Sequence, residues 1–494
     1  MYSYSTQHFA KKLIKTKNNL LHPLSKKMNL MVNYNKNLIK TLVVIVIMGF
    51  VILILWGGPL NLSSQPNQAP TLTITPLKAL AGEPWCIKVA GLTPNSVAKL
   101  IVEFKDAFGV LWESSAVFTV TDRGTVEPDI QAPNSGSYQG VDPSGLFWST
   151  RPVNTNQTSG AFSKSIEPQR LMVSVEVEGK RILSQTIERL FLLPGVERQV
   201  VDEAEVKGIL FLPAQQEPRP AIIVLSGSEG GVYEPPAAIY ASQGFVTLAL
   251  AYFGQEGLPD ELVHIPIETV DKAVEWLENH PRVNKDAIGI WGASKGAELA
   301  LLAAAHNPKI KAVVAKSPSA VAFEGVSKAM GIDHKSSWTL NGEEVPFVPI
   351  VFNQQLSDSF FSSKLANEPW STAPMYAYAL ENKEAVDAAT IQVEKINGPI
   401  LLVSGSEDGV WPAETMAKAI MDRLKAKGHP FPDMHLNYEG AGHQIGAPYS
   451  PTTINWLTVS GGLVEDLGGS PQRNAAAALD SWTKITVFLQ EHLR

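Results

Sequence analysis

Hydrophobic and polar residues are arranged in three different ways along the chain, and the first arrangement is an apolar run near the N-terminus. Residues 41–60 are uncharged and mostly apolar, and about 20 such residues are enough to span a bilayer. The run is apolar on every face, which disfavours a helix with one side towards water. We therefore predict a transmembrane anchor at 41–60, with a cleaved signal segment as the alternative.

The charges before this run predict its orientation. Residues 1–40 contain eight lysines and no acidic residue, and positive residues tend to remain on the cytoplasmic side of a membrane. We expect a basic cytoplasmic segment at 1–40, a linker rich in Asn, Ser, Gln and Pro at 61–70, and a single-pass membrane protein with an extracytoplasmic body. The alternatives are a body that stays in the cytoplasm and a body that is secreted after cleavage.

The second arrangement, over residues 71–194, consists of short alternating runs separated by Gly, Pro, Asn and Asp. The clearest runs are 72–75, 99–104, 115–120 and 171–177. Short alternating strands with frequent turn signals predict an antiparallel β-sandwich. No residue of this region is a catalytic candidate by itself, so the sandwich could either bind substrate or hold the rest of the chain in place.

The third arrangement begins at about residue 195, where continuous apolar runs alternate with helical spacing. Residues 221–225 read as a buried strand, and 267–279 place apolar residues at the period of a helix. Strands that alternate with helices predict a mostly parallel sheet with helices on both faces, here over 195–494. Residues 318–398 form a connection longer than a simple crossover between two parallel strands needs. Their aromatic side chains predict either that the segment forms the wall of an acyl pocket or that it is an excursion packed on the sandwich.

A candidate nucleophile follows the predicted strand at 287–291. The sequence Gly292-Ala293-Ser294-Lys295-Gly296 matches G-x-S-x-G between a strand and a helix. A strained turn of this kind needs small neighbours, and it places the serine at the positive end of a helix dipole. We predict Ser294 as the nucleophile of an α/β-hydrolase domain; the alternative is a serine that caps the helix.

The base and the acid are sought in the chain order nucleophile, acid, histidine. His443 lies in a loop of small residues after the strand predicted at 434–438, and Asp408 follows the strand predicted at 399–404. We predict His443 as base and Asp408 as the residue that orients it, with Glu407 as the alternative acid. A surface histidine is the alternative for His443.

The tetrahedral oxyanion of such a reaction needs backbone donors. The N–H of Lys295, next to the nucleophile, is one candidate. The loop 226–231 reads Ser-Gly-Ser-Glu-Gly-Gly after a strand, and we assign the N–H of Ser228 as the second donor, with Glu229 close behind. Removing one such donor costs about 3–4 kcal/mol in the transition state. A glycine-rich turn without a role is the alternative.

Composition narrows the remaining possibilities. The chain has 494 residues, 45% hydrophobic and 18% charged, as expected of a folded protein of more than one domain. Beyond residue 40 the formal net charge is −15, which argues against nucleic-acid binding. Cys86 is the only cysteine, so a zinc site built on several thiolates is excluded, and we interpret Cys86 as a buried, inert thiol. We predict no metal and no cofactor.

Three stretches resemble one known family. Gly-Ser-Tyr-Gln-Gly-Val-Asp-Pro-Ser-Gly-Leu-Phe-Trp-Ser at 136–149 is similar to its N-terminal signature, and Gly-Phe-Val-Thr-Leu-Ala-Leu-Ala-Tyr-Phe at 244–253, with Leu-Pro at 258–259, to the stretch after its oxyanion loop. Gly-Ser-Glu-Asp at 405–408, with Trp411, resembles its acid loop, where the family's acid falls on Asp408. From about residue 72 onwards the chain resembles the acyl-CoA thioesterases related to bile acid-CoA:amino acid N-acyltransferase.

The resemblance implies an immunoglobulin-like sandwich followed by the hydrolase domain, and hydrolysis of an acyl-CoA thioester to acid and CoA. The branch of the family that conjugates amino acids has a cysteine nucleophile, so Ser294 favours water as the acceptor. A carboxylesterase or an acyltransferase could use the same three residues. A membrane-tethered binding protein without catalytic activity is the alternative of another class.

Overall fold

The structure, a computed structural model, describes residues 69–153, 165–328, 330–459 and 463–493. The first region of the chain consists of short strands. A single-turn helix, α1 (Gly145–Trp148), interrupts them. The strands are β1 (Thr71–Thr75), β2 (Lys78–Leu80), β3 (Cys86–Ala90), β4 (Val97–Lys105), β5 (Leu111–Thr119), β6 (Ser135–Gly136), β7 (Arg151–Pro152), β8 (Gln169–Val177) and β9 (Lys180–Leu190).

These strands form two sheets around one apolar core. The larger sheet has the order β2-β9-β8-β4-β5-β6, with β7 also paired to β5, and β1 pairs with β3 in the smaller one. Alternate residues of β5 are buried, as its alternating sequence predicts. Side chains of both sheets, such as Val89 of β3 and Val102 of β4, belong to the same buried cluster.

The prediction that Cys86 is buried is wrong. Its side chain is exposed, whereas its neighbours Trp85 and Ile87 are buried. Successive side chains of a strand point to opposite faces, so the two apolar neighbours place Cys86 on the outer face.

The second region alternates strands with helices. Its helices are α2 (Glu234–Ser242), α3 (Glu268–Glu278), α4 (Lys295–His306), α5 (Gln354–Ala366), α6 (Ala373–Ala379), α7 (Lys383–Ala389), α8 (Ala413–Lys427) and α9 (Pro471–His492). Its strands are β10 (Glu197–Asp202), β11 (Lys207–Leu212), β12 (Arg219–Leu225), β13 (Val246–Ala251), β14 (Ile265–Pro266), β15 (Val283–Ala293), β16 (Ile310–Lys316), β17 (Trp338–Leu340), β18 (Glu343–Glu344), β19 (Ile400–Gly405), β20 (Met434–Tyr438), β21 (Trp456–Thr458) and β22 (Val464–Asp466).

An eight-stranded sheet of order β10-β11-β13-β12-β15-β16-β19-β20 organises this region. The six strands from β13 to β20 in that order are mutually parallel, and β10 and β11 are antiparallel to their neighbours. Apolar side chains of α3, α4 and α8 pack on one face, and those of α2 and α9 on the other. The predicted mostly parallel sheet with helices on both faces is confirmed, and it brings the carboxyl ends of β12, β15, β16 and β19 to one edge.

The long segment 318–398 packs within the second region. Its buried residues Phe323 and Tyr376 form a cluster with Trp411, which lies beyond β19. The Phe323 and Trp411 rings stack with centroids 5.9 Å apart. The alternative prediction is that this segment packs on the sandwich. It is not supported, because among the described residues the cluster contains none of the first region.

No helix among the described residues is long and apolar enough to cross a membrane. This finding contradicts the predicted localisation as a single-pass membrane protein, which we do not retain. The predicted anchor at 41–60, with the basic segment 1–40 and most of the linker 61–70, lies outside the described residues.

Candidate active site

Ser294 lies in a tight turn between β15 and α4. Its φ of 55° and ψ of −125° put a non-glycine residue in a strained conformation, as in the serine turn of α/β-hydrolases. A Cβ on Gly292 would overlap the carbonyl oxygen of Gly296, and one on Gly296 would overlap that of Ser226. Within the described residues the Ser294 side chain makes no capping bond to α4, so the alternative of a helix-capping serine is not supported.

His443 and Asp408 are hydrogen-bonded to each other. The Nδ1 atom of His443 lies 2.8 Å from Oδ2 and 3.0 Å from Oδ1 of Asp408, which leaves Nε2 for another partner. The backbone N–H groups of Val410 and Trp411 donate to Asp408 Oδ1 and fix the carboxylate. The alternative acid, Glu407, is exposed.

The acid loop and the histidine loop meet through their backbones. The N–H of Glu407 donates to the carbonyl of Ala441 at 2.9 Å, and a Cβ on Gly405 would overlap that same oxygen. A small residue at position 405 therefore allows the two loops to approach closely enough for the pair between Asp408 and His443.

Ser317 connects the histidine to the strand beside the nucleophile. The N–H of Ser294 donates to the carbonyl of Lys316 at 2.9 Å, and the hydroxyl of the next residue, Ser317, donates to the carbonyl of His443 at 2.6 Å. Trp411 donates from Nε1 to the Ser317 carbonyl and places its ring 5.9 Å from the imidazole. His443 and Ser294 are thus held to the same strand end, β16.

The electrostatic surroundings favour a basic imidazole. Burial alone would lower the pKa of His443, but the charge of Asp408 and its hydrogen bond, with contributions from Glu465 and Glu229, raise that pKa above its ordinary value. Burial raises the pKa of Glu465, against the lowering effects of His443 and of the Thr372 hydroxyl. The raised pKa makes the neutral imidazole of His443 a stronger base.

The glycine-rich loop after β12 lies beside Ser294. A Cβ on Gly227 would come 3.4 Å from the Cβ of Ser294. The Tyr252 hydroxyl donates to the carbonyls of Ser226 at 2.7 Å and Gly227 at 3.2 Å, so the stretch 244–253 holds this loop in place. The next residue, Ser228, is our predicted donor; its N–H belongs to this loop, and its role stays a prediction.

Lys295 is the first residue of α4, so its N–H has no acceptor within the helix. Its side chain forms an ion pair with Glu298 at 2.8 Å, and both side chains are almost fully buried. Glu298 also accepts from Trp338 Nε1 at 2.6 Å and from the N–H of Phe323 at 3.0 Å. Two residues of the segment 318–398 therefore hold the first turn of α4, which follows Ser294.

Sequence reasoning did not identify Ser317, Glu465 or Glu298. Ser317 follows a strand and could have been sought there, since the carboxyl ends of parallel strands surround the site. Glu465 precedes α9 without any motif, and Glu298 reads as an ordinary helix residue. Their positions follow from contacts between distant segments.

A cavity of about 1010 Å³ is lined by Gln444, the residue after His443, but not by Ser294, Asp408 or His443 itself. One wall consists of residues that follow the histidine, including Gln444, Gly446 and Asn455. The other wall comes from the first region and carries Lys105 and Arg170. The cavity is therefore lined by both regions of the chain.

Two family descriptions match the chain. "Acyl-CoA thioester hydrolase/BAAT N-terminal region" matches residues 82–203, and "BAAT / Acyl-CoA thioester hydrolase C terminal" matches residues 265–494. Acyl-coenzyme A amino acid N-acyltransferase 2 of Rattus norvegicus is 32% identical over 435 residues, 85% of this chain and 98% of that protein. Acyl-coenzyme A thioesterase 1 of Rattus norvegicus is 30% identical over 431 residues, 86% of this chain and 97% of that protein.

Solved structures are more distant. A putative dienelactone hydrolase from Klebsiella pneumoniae gives a TM-score of 0.36 at 16% identity, over 60% of this chain and 98% of its own. A puromycin-hydrolyzing peptidase from Mycobacterium tuberculosis gives 0.40 at 14% identity, over 83% of this chain and 58% of its own. At these TM-scores the likeness carries no argument about function.

Proposed function

Because this chain belongs to the family of acyl-CoA thioester hydrolases and bile acid-CoA:amino acid N-acyltransferases, and so is an acyl-CoA hydrolase or acyltransferase, we propose that it hydrolyses acyl-CoA to carboxylic acid and CoA. In this proposal Ser294, His443 and Asp408 carry out the reaction. The observation that carries the proposal is the bond between His443 Nδ1 and Asp408, which leaves Nε2 free to serve a serine held at the same sheet edge. Relatives of both kinds, thioesterases and N-acyltransferases, support the substrate class.

In the proposed reaction Ser294 Oγ attacks the thioester carbonyl while His443 Nε2 takes the hydroxyl proton. Asp408 stabilises the imidazolium, and the N–H groups of Lys295 and Ser228 receive the oxyanion. The intermediate collapses by breaking the carbon–sulfur bond, and the leaving thiolate takes the proton from His443. Water then attacks the acyl-serine with His443 as base, which releases the acid and restores the Ser294 hydroxyl.

Hydrolysis, rather than transfer to an amine, is supported by the serine nucleophile. The activation of a thioester assists only the first step, because the acyl-serine that follows is an oxygen ester, which water attacks with His443 as base. Carboxylic esters and acyl groups on other carriers could react through the same three residues, so hydrolysis of acyl-CoA must be compared with hydrolysis of an ester. A non-catalytic binding protein would leave the strained Ser294 turn and the bonded pair of His443 and Asp408 without a role.

We also propose that the two sheets of the first region form an immunoglobulin-like sandwich over 71–194, with the catalytic domain at 195–494. The family description that ends at residue 203 supports a boundary in this part of the chain. In this proposal the cavity between the regions receives the acyl-CoA. The segment 318–398 walls the acyl chain beside Trp411, whose ring stacks on Phe323 and lies 5.9 Å from the His443 imidazole.

The test is free-thiol release from a series of acyl-CoAs by the purified full-length chain, beside p-nitrophenyl ester hydrolysis. We expect thiol release that falls on the order of 10⁶-fold in Ser294→Ala, as when other serine nucleophiles are removed. Ester turnover without thiol release would keep the three residues and reject CoA as the carrier. Turnover that persists in Ser294→Ala, or absence of turnover in both assays, would reject the proposal.

A further inference from the structure

The signature at 136–149 holds no catalytic candidate, yet it folds into a hydrogen-bonded turn whose second half, from residue 144 onwards, is buried. Asp142 accepts from Trp148 Nε1 at 2.7 Å and from the hydroxyl and N–H of Ser144 at 2.8 Å. The side chains of Phe147 and Trp148 are buried. We call residues 136–150 the signature turn; its internal bonds leave the carbonyls of Trp148 and Thr150 directed at another segment.

That segment is the loop that follows the predicted base. We call residues 443–455 the histidine loop. The N–H of Thr452 donates to the Trp148 carbonyl at 3.0 Å, and the hydroxyl of Thr453 donates to the Thr150 carbonyl at 2.6 Å. The loop therefore binds to the backbone of a region some 300 residues earlier in the chain.

Tyr449 provides the apolar part of this contact. Its side chain is buried, and it belongs to the core of the first region rather than to that of the catalytic sheet. Its ring meets Phe147 edge-on at 5.7 Å and Trp85 at 6.2 Å. The buried guanidinium of Arg189 donates to the Tyr449 carbonyl. Aromatic contacts of this kind contribute about 0.5–1.5 kcal/mol each beyond their burial.

A short chain of hydrogen bonds leads from this contact back to the imidazole. The carbonyl of Asn455, at the far end of the histidine loop, accepts from the N–H of Leu467 at 2.7 Å. The carbonyl of Leu467 in turn accepts from the N–H of His443 at 2.7 Å. Both ends of the histidine loop are thus hydrogen-bonded to Leu467, so a displacement of the far end is expected to shift the backbone of His443.

We propose that the signature turn is the positioning element for the catalytic histidine: by holding Tyr449 and Thr453 it fixes the histidine loop, and through Leu467 it fixes His443. The proposal rests on the proposed function, in which His443 is the base. It gives the first region a role in the chemical step although none of its side chains is assigned to the reaction.

The test compares Tyr449→Ala with Tyr449→Phe, which keeps the ring, and with Phe118→Leu, which disturbs the same core but leaves the Trp85 and Phe147 rings that meet Tyr449. Displacement of a reacting group by about 1 Å costs on the order of 100-fold. We expect kcat to fall by about 10- to 100-fold in Tyr449→Ala, with KM nearly unchanged. The rate at which a fluorophosphonate labels Ser294 should fall in parallel, whereas Tyr449→Phe and Phe118→Leu should retain both rates.

Thr453→Val, which removes only the bond to Thr150, carries the test if Tyr449→Ala does not fold; there we expect a fall in kcat of about threefold to tenfold. A wild-type chain that neither releases thiol nor labels at Ser294 would overturn the proposed function itself. Normal wild-type rates combined with unchanged kcat in the folded loop variants, or with a rise in KM alone, would overturn the positioning role and leave the proposed function standing.

Discussion

The nucleophile turn and the histidine loop are held in place in opposite ways. Ser294 is fixed by elements of its own sheet: Gly292 packs against the Gly296 carbonyl, Gly296 packs against the Ser226 carbonyl, and the adjacent strand β16 accepts the Ser294 N–H. His443 is fixed by segments that lie far apart in the chain, namely Asp408, Ser317 and the signature turn.

This difference shows how the two groups depend on the rest of the molecule. The strained turn at Ser294 is held by its own strand and helix and by neighbouring elements of the same sheet, so it depends on that sheet and not on the first region. A loop without regular structure has few contacts of its own, so its conformation depends on what it packs against. The histidine is therefore the member of the site that depends most on the first region.

The largest expected effect concerns the acid that orients the histidine. Asp408→Asn keeps the shape but presents an amide to His443 Nδ1, which favours the wrong tautomer and no longer stabilises the imidazolium. We expect kcat for thiol release to fall about 10⁴-fold. The neighbouring Glu407→Gln, an exposed residue, is the matched control and should retain activity. A loss in Glu407→Gln instead would assign the acid to position 407.

A smaller effect is expected when one methyl group is added to the nucleophile turn. In Gly292→Ala the new Cβ overlaps the Gly296 carbonyl, so α4 and the Lys295 N–H must shift. We expect a fall in kcat of about 100-fold together with a loss of stability of about 1–3 kcal/mol, measured by thiol release and chemical denaturation. Unchanged kcat and stability would show that the turn is less tightly held than the histidine loop and reverse the comparison.

The smallest expected effect is a change in the pH dependence. His443 must be neutral to accept the serine proton, so kcat/KM should fall as the pH drops through its raised pKa, which lies above the ordinary value. Glu465→Gln removes a negative charge that raises this pKa, so the acidic limb should move to lower pH. The exposed Glu381→Gln is the control. An acidic limb that does not move in Glu465→Gln would show that the charge of Glu465 does not affect the pKa of His443.

The sequence predicts those parts of the site that depend on local pattern. The run at 292–296 predicts the turn at Ser294, and the strand before 405–408 predicts where Asp408 lies, because parallel strands end at one edge of the sheet. The alternation of continuous apolar runs with apolar residues at helical spacing also predicts the strands and helices of the second region. The same reasoning was wrong for Cys86, where the pleat of β3 turned a residue in an apolar run towards solvent.

The pattern of residues by itself therefore determined the α/β architecture, the strained turn at Ser294 and the choice of Asp408 and His443. The tertiary structure alone decided that Ser317 and Glu465 lie near the histidine and that the signature turn contacts the histidine loop. The physical reason is the range of the interactions: periodicity and turn chemistry act over a few residues, whereas the contact between Thr453 and Thr150 joins positions 303 residues apart and exists only after both regions have folded.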